Sequence, residues 1–198
     1  MLIETHAPPL CGRSDARGFT LVELVLVVAL IALVSKIALS DTAPSAQNRV
    51  DAAAMEVAQA LRFAQQEAIR TGAARVAILD PGSSHVRVFQ LDMTAVPPVE
   101  DTARPVAYPV SRQQAYDVPL LSLPATAGVK IASAAFTFAD GSSATQVAFD
   151  ATGAPANIRG PKPSDAKALS SGAVSVTLSN ARRAVYVDAI TGRVTLSS

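Results

Sequence analysis

Residues 18–40 of this 198-residue chain read GFTLVELVLVVALIALVSKIALS, and this stretch decides the fold. Every residue from Leu24 to Val34 is apolar. Extended from Phe19 to Leu39, the stretch would form a helix of roughly 30 Å at about 1.5 Å per residue, enough to cross the hydrocarbon core of a membrane. The preceding Arg13 and Arg17 favour a cytoplasmic N-terminus and an exported remainder.

Two common kinds of apolar segment fit this stretch imperfectly. A buried core helix would need a protein large enough to surround it, and the rest of this chain is small. A cleaved secretory signal peptide fits better, since 24–34 has the length of its apolar region and 38–40 has small residues at its ends for a cleavage site. Neither explains Glu23 at the head of the apolar run, because a carboxylate in hydrocarbon is expensive and usually marks function.

A third interpretation accounts for Glu23. The run Gly18-Phe19-Thr20-Leu21-Val22-Glu23 resembles the recognition motif of prepilin peptidase, with a glycine, an aromatic residue and a glutamate five positions after the cut. The resemblance implies that residues 1–18 are a leader, that cleavage falls between Gly18 and Phe19, and that the new Phe19 amino group is N-methylated. It also implies that Glu23 acts in filament assembly, paired with the α-amino group of Phe19 in its own or a neighbouring subunit.

A second helical pattern follows an interruption at 41–45, where Pro44 is expected to kink the chain. The pattern ends in Thr71-Gly72, a usual helix stop. We therefore expect a transmembrane helix half over 19–39 and an amphipathic half over 45–71 that packs closely against a sheet. Its apolar stripe is narrow and rich in alanine, with spacings of three and four: Val50, Ala54, Val57, Leu61, Ala64 and Ala68.

Short alternating segments dominate residues 74–198 and predict a small, sandwich-like antiparallel β-domain, hence an α+β fold. Strands are expected at 75–79 and 86–91, which flank a turn signal and form a hairpin. The Pro-rich stretch 94–119 and the Gly- and Pro-rich stretch 153–171 are expected to be surface loops. Further strands are expected at 129–132, 135–138, 146–149, 173–179, 184–188 and 193–196.

Motifs further along the chain narrow the resemblance to one group of pilin-like proteins. The run LRFAQQEAIR at 61–70, closing in Thr71-Gly72, is similar to the helix end of GspH-type minor pseudopilins and of FimT-type minor pilins. The motifs FDATG at 149–153 and TGR at 191–193 are similar to the C-terminal pattern of that family. The resemblance implies a minor pseudopilin of the type II secretion system, which drives protein export across the outer membrane.

The same resemblance implies a location and a set of partners. The chain would cross the bacterial inner membrane once, with its N-terminus in the cytoplasm and its β-domain in the periplasm, and join the pseudopilus. Its partners would be prepilin peptidase, other major and minor pseudopilins, the inner-membrane secretion platform and secreted cargo. Two alternatives remain: a FimT-type minor pilin of a type IV pilus, which would bind DNA in transformation, and a periplasmic binding domain released by ordinary signal peptidase.

Enzyme chemistry is not expected. Cys11 is the only cysteine, which excludes a disulfide within the chain and a cysteine-rich metal site. His6 and Cys11 lie in the expected leader, and His85 is expected to be a solvated turn residue. Asp140-Gly141-Ser142 lacks the spaced carboxylates of a calcium loop and is expected to be a turn. We find no motif for a nucleophile, a phosphate-binding loop or a zinc site, so no catalytic residue, metal or cofactor is predicted.

A modest basic group near the C-terminus consists of Arg182, Arg183 and Arg193, expected on one face of the last hairpin. A solvated surface accounts for it, and the functional alternative is weak DNA contact. Lys and Arg number 17 and Asp and Glu 16, so the formal net charge is +1 and nucleic acid is not an expected partner.

Overall fold

The computed structural model describes residues 20–38, 45–111, 113–162 and 165–197. It confirms the α+β fold, with helix α1 at Leu21–Ala38, helix α2 at Ala46–Thr71 and antiparallel strands after them. The chain divides into two compact units, Met1–Ala43 and Pro44–Ser198. The expected leader 1–18, Phe19 and the expected kink at Pro44 lie outside the described residues.

Helix α2 is amphipathic, as its spacing predicted. The Ser45 side chain accepts a hydrogen bond from the Asn48 N–H at 3.2 Å and caps the helix start. The helix ends at Gly72 in the left-handed region, with φ 64°. Because most of the buried side chains are alanines, the helix can approach the sheet closely; they are Val50, Ala53, Ala54, Val57, Ala58, Ala60, Leu61, Ala64 and Ala68.

Eleven strands lie in the described residues, and each of their pairings is antiparallel. The strands are β1 Arg75–Asp80, β2 His85–Asp92, β3 Val99–Glu100, β4 Asp117–Pro119, β5 Lys130–Phe138, β6 Ser143–Ala144, β7 Gln146–Phe149, β8 Pro155–Ile158, β9 Ala166–Leu178, β10 Ala181–Val187 and β11 Val194–Leu196. They form one connected sheet in the order β11-β10-β9-β8-β7-β1-β2-β3, in which β4 pairs with β2, β5 with β9 and β6 with β5.

The core lies between α2 and the inner face of this sheet. Helix α2 contacts β9, β10 and β11 on one side and β1, β2 and β7 on the other. The largest fully buried side chains of the core include three phenylalanines, Phe136, Phe138 and Phe149. The aromatic content of 5% is therefore concentrated where it fills the most volume.

The prediction of a loop over 153–171 was wrong for most of its length. Strand β8 pairs with β7, and β9 begins at Ala166 and continues for 13 residues. Immediately after this stretch, Gly172 of β9 is needed for packing, because a Cβ there would lie 2.9 Å from the Phe136 ring. Likewise, the strands expected at 129–132 and 135–138 are one strand, β5, with a register shift between Ile131 and Ser133.

The stretch 94–119 is also more than a surface loop. It contains β3 and β4, and it inserts the buried side chain of Tyr116 into the core. The Tyr116 ring stacks on Phe63 of α2 at 5.0 Å between centroids, and Tyr108 meets Tyr116 edge-on at the same distance. This Pro-rich segment is therefore held on helix α2 by an aromatic cluster.

Candidate functional sites on helix α1 and the C-terminal hairpin

Helix α1 begins with a polar first turn. The Glu23 N–H donates to the Thr20 carbonyl at 3.0 Å and to Thr20 Oγ1 at 3.3 Å, so Thr20 caps the helix. Glu23 is the acidic residue of this turn, where the helix dipole favours negative charge. The predicted cleavage and methylation residues, Gly18 and Phe19, lie outside the described residues.

The large apolar side chains of α1 from Leu21 to Leu33 are exposed to different degrees. Its large apolar residues between Leu21 and Leu33 are 43% to 81% exposed, and they point in all directions around the axis. An α-helix that is apolar all round is normally surrounded by lipid or protein. Within the described residues, no helix meets the combined length and apolarity expected of a membrane span.

The three arginines of the predicted basic group do not share one face. Arg183 points toward α2, where its Nε donates to Asp51 Oδ1 at 2.5 Å and the carboxylate raises the guanidinium pKa. Arg182 points to the opposite face of β10 and donates to Ser175 Oγ at 2.7 Å. Adjacent residues of a strand face opposite ways, a signal already present in the sequence. Arg193 is exposed at the end of the β10–β11 turn.

The β10–β11 turn is built around one carboxylate. Asp188 Oδ1 accepts from the Ile190 N–H at 3.1 Å, the Thr191 N–H at 2.8 Å and Thr191 Oγ1 at 2.7 Å. These bonds, first those from the Thr191 backbone and hydroxyl, lower the Asp188 pKa because they stabilise the charged form. The Gly192 N–H closes the turn on the Asp188 carbonyl at 3.0 Å.

Helix α2 holds this turn through Gln65, a residue that was not singled out from the sequence. Gln65 Nε2 donates to the Thr191 carbonyl at 2.8 Å and to the Gly153 carbonyl at 2.9 Å. Gly192 has φ +67°, and a Cβ there would lie 2.6 Å from Gln65 Nε2 and 2.9 Å from the Gly153 carbonyl. The FDATG and TGR motifs therefore meet at a single side chain of the LRFAQQEAIR motif.

The remaining candidates have structural roles. His85 is the first residue of β2, half-exposed, with Nδ1 2.7 Å from Asp117 Oδ1, so it pairs with β4 and is not simply solvated. Asp140 forms the predicted turn, accepting from the Ser142 N–H and hydroxyl at 3.0 and 2.6 Å. In the part of the chain that the structure describes, no cluster of three or more His, Cys, Asp or Glu residues could hold a metal ion.

Comparison with known families supplies the decisive observation. Residues 53–192 match the family described as type II transport protein GspH, and residues 13–35 match the prokaryotic N-terminal methylation motif. The chain belongs to the GspH family. It is a GspH-type pseudopilin and a component of type II secretion, which confirms the interpretation drawn from its sequence.

This GspH-family chain was also compared with curated proteins and with solved structures. Among curated proteins, no sequence matches it. Among solved structures, the minor pseudopilin EpsH from the type 2 secretion system of Vibrio cholerae is similar, with a TM-score of 0.46 and 14% sequence identity. That alignment covers 76% of this chain and 97% of EpsH.

Proposed function

We propose that this chain is a minor pseudopilin whose helix α1 serves first as a membrane anchor and then as the segment that packs inside the pseudopilus. The observation that supports the proposal most directly is the exposed apolar surface around α1. Such a surface is stable in lipid and equally stable against the apolar helices of other subunits. In this view the N-terminus is cytoplasmic and residues 45–197 lie in the periplasm.

The proposed role of Glu23 is to pair with the α-amino group of a mature Phe19, within one subunit or between neighbours. Its place in the first turn of α1 is consistent with this role, because the two groups are one helical turn apart in sequence. A compensated charge pair in apolar surroundings specifies register more than it adds stability. Glu23 would therefore set the axial position at which the subunit enters the filament.

The proposed role of the unit Pro44–Ser198 is recognition, not catalysis. Several of its titratable side chains are used in turns and ion pairs, as Asp188 and the pair Asp51–Arg183 illustrate. The expected partners are prepilin peptidase during maturation, the inner-membrane platform during assembly, and other pseudopilins in the filament. Secreted cargo is a further expected partner of the periplasmic surface.

The mature N-terminus tests this function. Mass spectrometry of the protein from its native host should find a chain that begins at Phe19 and carries one N-methyl group. Deletion of the prepilin peptidase gene should leave residues 1–18 attached. A chain that begins at Asp41 would instead indicate an ordinary signal peptide and would contradict the proposal.

A further inference from the structure

Ile190 lies at the tip of the β10–β11 turn and is 85% exposed, the highest value of any large apolar side chain in the described residues. Single exposed apolar residues are common on protein surfaces, so exposure alone indicates nothing. The distinguishing feature of Ile190 is the rigidity of the backbone that presents it. Its own N–H donates to Asp188 Oδ1 at 3.1 Å, and the next residue is bonded to Gln65 of α2.

A rigid turn with a β-branched residue at its tip is well suited to binding. Association normally loses free energy when mobile loops and side chains are immobilised. Here the turn is already fixed by the Asp188 carboxylate and by Gln65, and isoleucine has few rotamers to lose. Ile190 could therefore enter a partner's pocket with little further ordering.

The surroundings of Ile190 indicate the chemistry of the partner. Tyr186 of β10, four residues before Ile190 in the same hairpin, is 48% exposed. Arg193 flanks the turn and makes no ion pair among the described residues; its charge acts only at longer range on Asp188. The complement of this surface is an apolar pocket with a carboxylate at its rim.

A second turn of the chain has similar rigidity but no large apolar side chain at its tip. The turn Asp150–Gly153 is one residue shorter but is also built around an aspartate, since Asp150 Oδ1 accepts from the Thr152 N–H and hydroxyl at 2.8 and 2.6 Å. Gln65 bonds to this turn as well. Its tip carries exposed Ala151 in place of an isoleucine, so it has the rigidity without the apolar anchor.

We propose that Ile190 is the apolar anchor of a protein-docking surface that also includes Arg193, and that its occupant is another pseudopilin of the same filament. The class of partner rests on the proposed function. The pocket of that partner takes the Ile190 side chain, and an acidic side chain at its rim pairs with Arg193.

Photo-crosslinking in cells that produce the complete secretion system tests the proposal. A photoreactive amino acid is placed at position 190 of the full-length chain, and at position 151 or 25 in parallel chains. Products are probed with antibodies to each of the other pseudopilins of that system. We expect position 190 to crosslink to one pseudopilin at least about tenfold more strongly than position 151 does, as for a buried binding anchor.

Substitutions then distinguish the loss of the Ile190 contact from a general disturbance of the fold. With the photoreactive group at position 186, Ile190→Asp should reduce the crosslink at least about tenfold, whereas Ile190→Leu and Ala151→Asp should leave it nearly unchanged. If Ile190→Asp crosslinks like the wild type, the inference is wrong. Crosslinking at position 25 but not at 190 would overturn the inference and leave the proposed function standing, whereas its absence at both positions would contradict both.

Binding of duplex DNA is the remaining outcome. If the purified full-length protein binds duplex DNA at physiological salt, and Arg193→Ala abolishes this while Ile190→Asp does not, the surface would be a nucleic-acid site. That result would overturn the inference, because phosphate contacts need Arg193 but not an apolar anchor.

Discussion

Gln65 joins three parts of the molecule at the scale of one residue. Its side-chain amide bonds to backbone carbonyls of two separate turns, and each of these carbonyls would otherwise need another donor. Arg62, one helical turn earlier, similarly donates to the Val194 carbonyl at 2.9 Å. The final turns of α2 therefore hold the backbone of the C-terminal hairpin.

Replacement of Gln65 provides the first prediction. Gln65→Ala should lower the free energy of unfolding by about 1–3 kcal/mol, because it leaves the Thr191 and Gly153 carbonyls without their donor. The matched control Gln66→Ala removes an exposed side chain from the same helix and should change it by less than about 0.5 kcal/mol. Urea titration of the two variants measures the difference, and equal midpoints would contradict the proposed bridge.

A second prediction concerns the pH dependence of stability, to which Glu56 and Glu67 of α2 should contribute with opposite signs. Burial raises the Glu56 pKa, so the fold binds that proton more tightly than the unfolded chain does and loses stability as pH rises above about 4.5. Hydrogen bonds from Arg70, together with its charge, lower the Glu67 pKa, so Glu67 adds stability above about pH 4.5 that is lost as pH falls through its folded value.

The two glutamine variants should therefore diverge with pH. Between pH 4 and pH 7, Glu56→Gln should become more stable relative to the wild type, and Glu67→Gln should become less stable. Thermal unfolding at several pH values measures both. A Glu56→Gln variant whose relative stability is flat across this range would show that the Glu56 carboxylate is well solvated in the fold.

Helix α2 is the element on which the fold depends, because both arms of the sheet pack on it. Its buried face is mostly alanine, so the backbone of the helix lies close to the strands. The same closeness leaves no room for a larger side chain. Overpacking of such an interface forces shifts of the backbone or unfavourable rotamers.

A third prediction tests this close approach. Ala64→Leu adds three carbons at a fully buried position and should lower the free energy of unfolding by about 1–3 kcal/mol or more. Gln59→Leu introduces the same side chain at an exposed position of α2 and controls for helix propensity. If both variants unfold at the same urea concentration, the interface is looser than the packing indicates.

The two units of the molecule differ in the burial of their apolar side chains. Every buried hydrophobic residue of the described chain belongs to the unit Pro44–Ser198, which therefore has its own core. In helix α1, the large apolar side chains from Leu21 to Leu33 are all exposed. We infer that the first unit depends on lipid or on other subunits, whereas the second does not.

A fourth prediction follows for fragments. A fragment that begins at Ser45, the residue that caps α2, should fold alone and unfold cooperatively on heating. A fragment that begins at Arg75 lacks α2 and should aggregate, since the inner face of the sheet would be exposed to water. Circular dichroism and size-exclusion chromatography distinguish the two; a Ser45 fragment without a cooperative transition would contradict the division into units.

A fifth prediction concerns Glu23 in the full chain. Glu23→Ala should leave membrane insertion unchanged or slightly improved, because a carboxylate near the end of an inserted helix costs up to about 3 kcal/mol. It should impair incorporation into the pseudopilus, because the proposed partner of the Phe19 amine is gone. Membrane fractionation and co-purification with other pseudopilins measure the two effects, with Val28→Ala as the control. Normal co-assembly of Glu23→Ala would exclude the proposed role.

The sequence by itself determined the elements whose signals are local. The apolar run of α1, the alanine-rich stripe of α2 and the stop at Gly72 all depend on residues within a few positions of one another, and so does the TGR turn. The family resemblance came from the same short motifs. The separation of Arg182 from Arg183 on β10 also follows from local alternation, although the sequence interpretation had placed both on one face.

Only the tertiary structure decided which distant segments meet. Gln65 bonds to carbonyls 88 and 126 residues away, and no local pattern marks a glutamine for that role. Strand β9 begins in a stretch of Gly, Pro and Ser residues because its partners, β8 and β5, supply the hydrogen bonds and the Phe136 ring that small residues accommodate. Such contacts depend on the closure of long loops around a shared core, and the free energy that selects among them belongs to the whole fold rather than to any one segment.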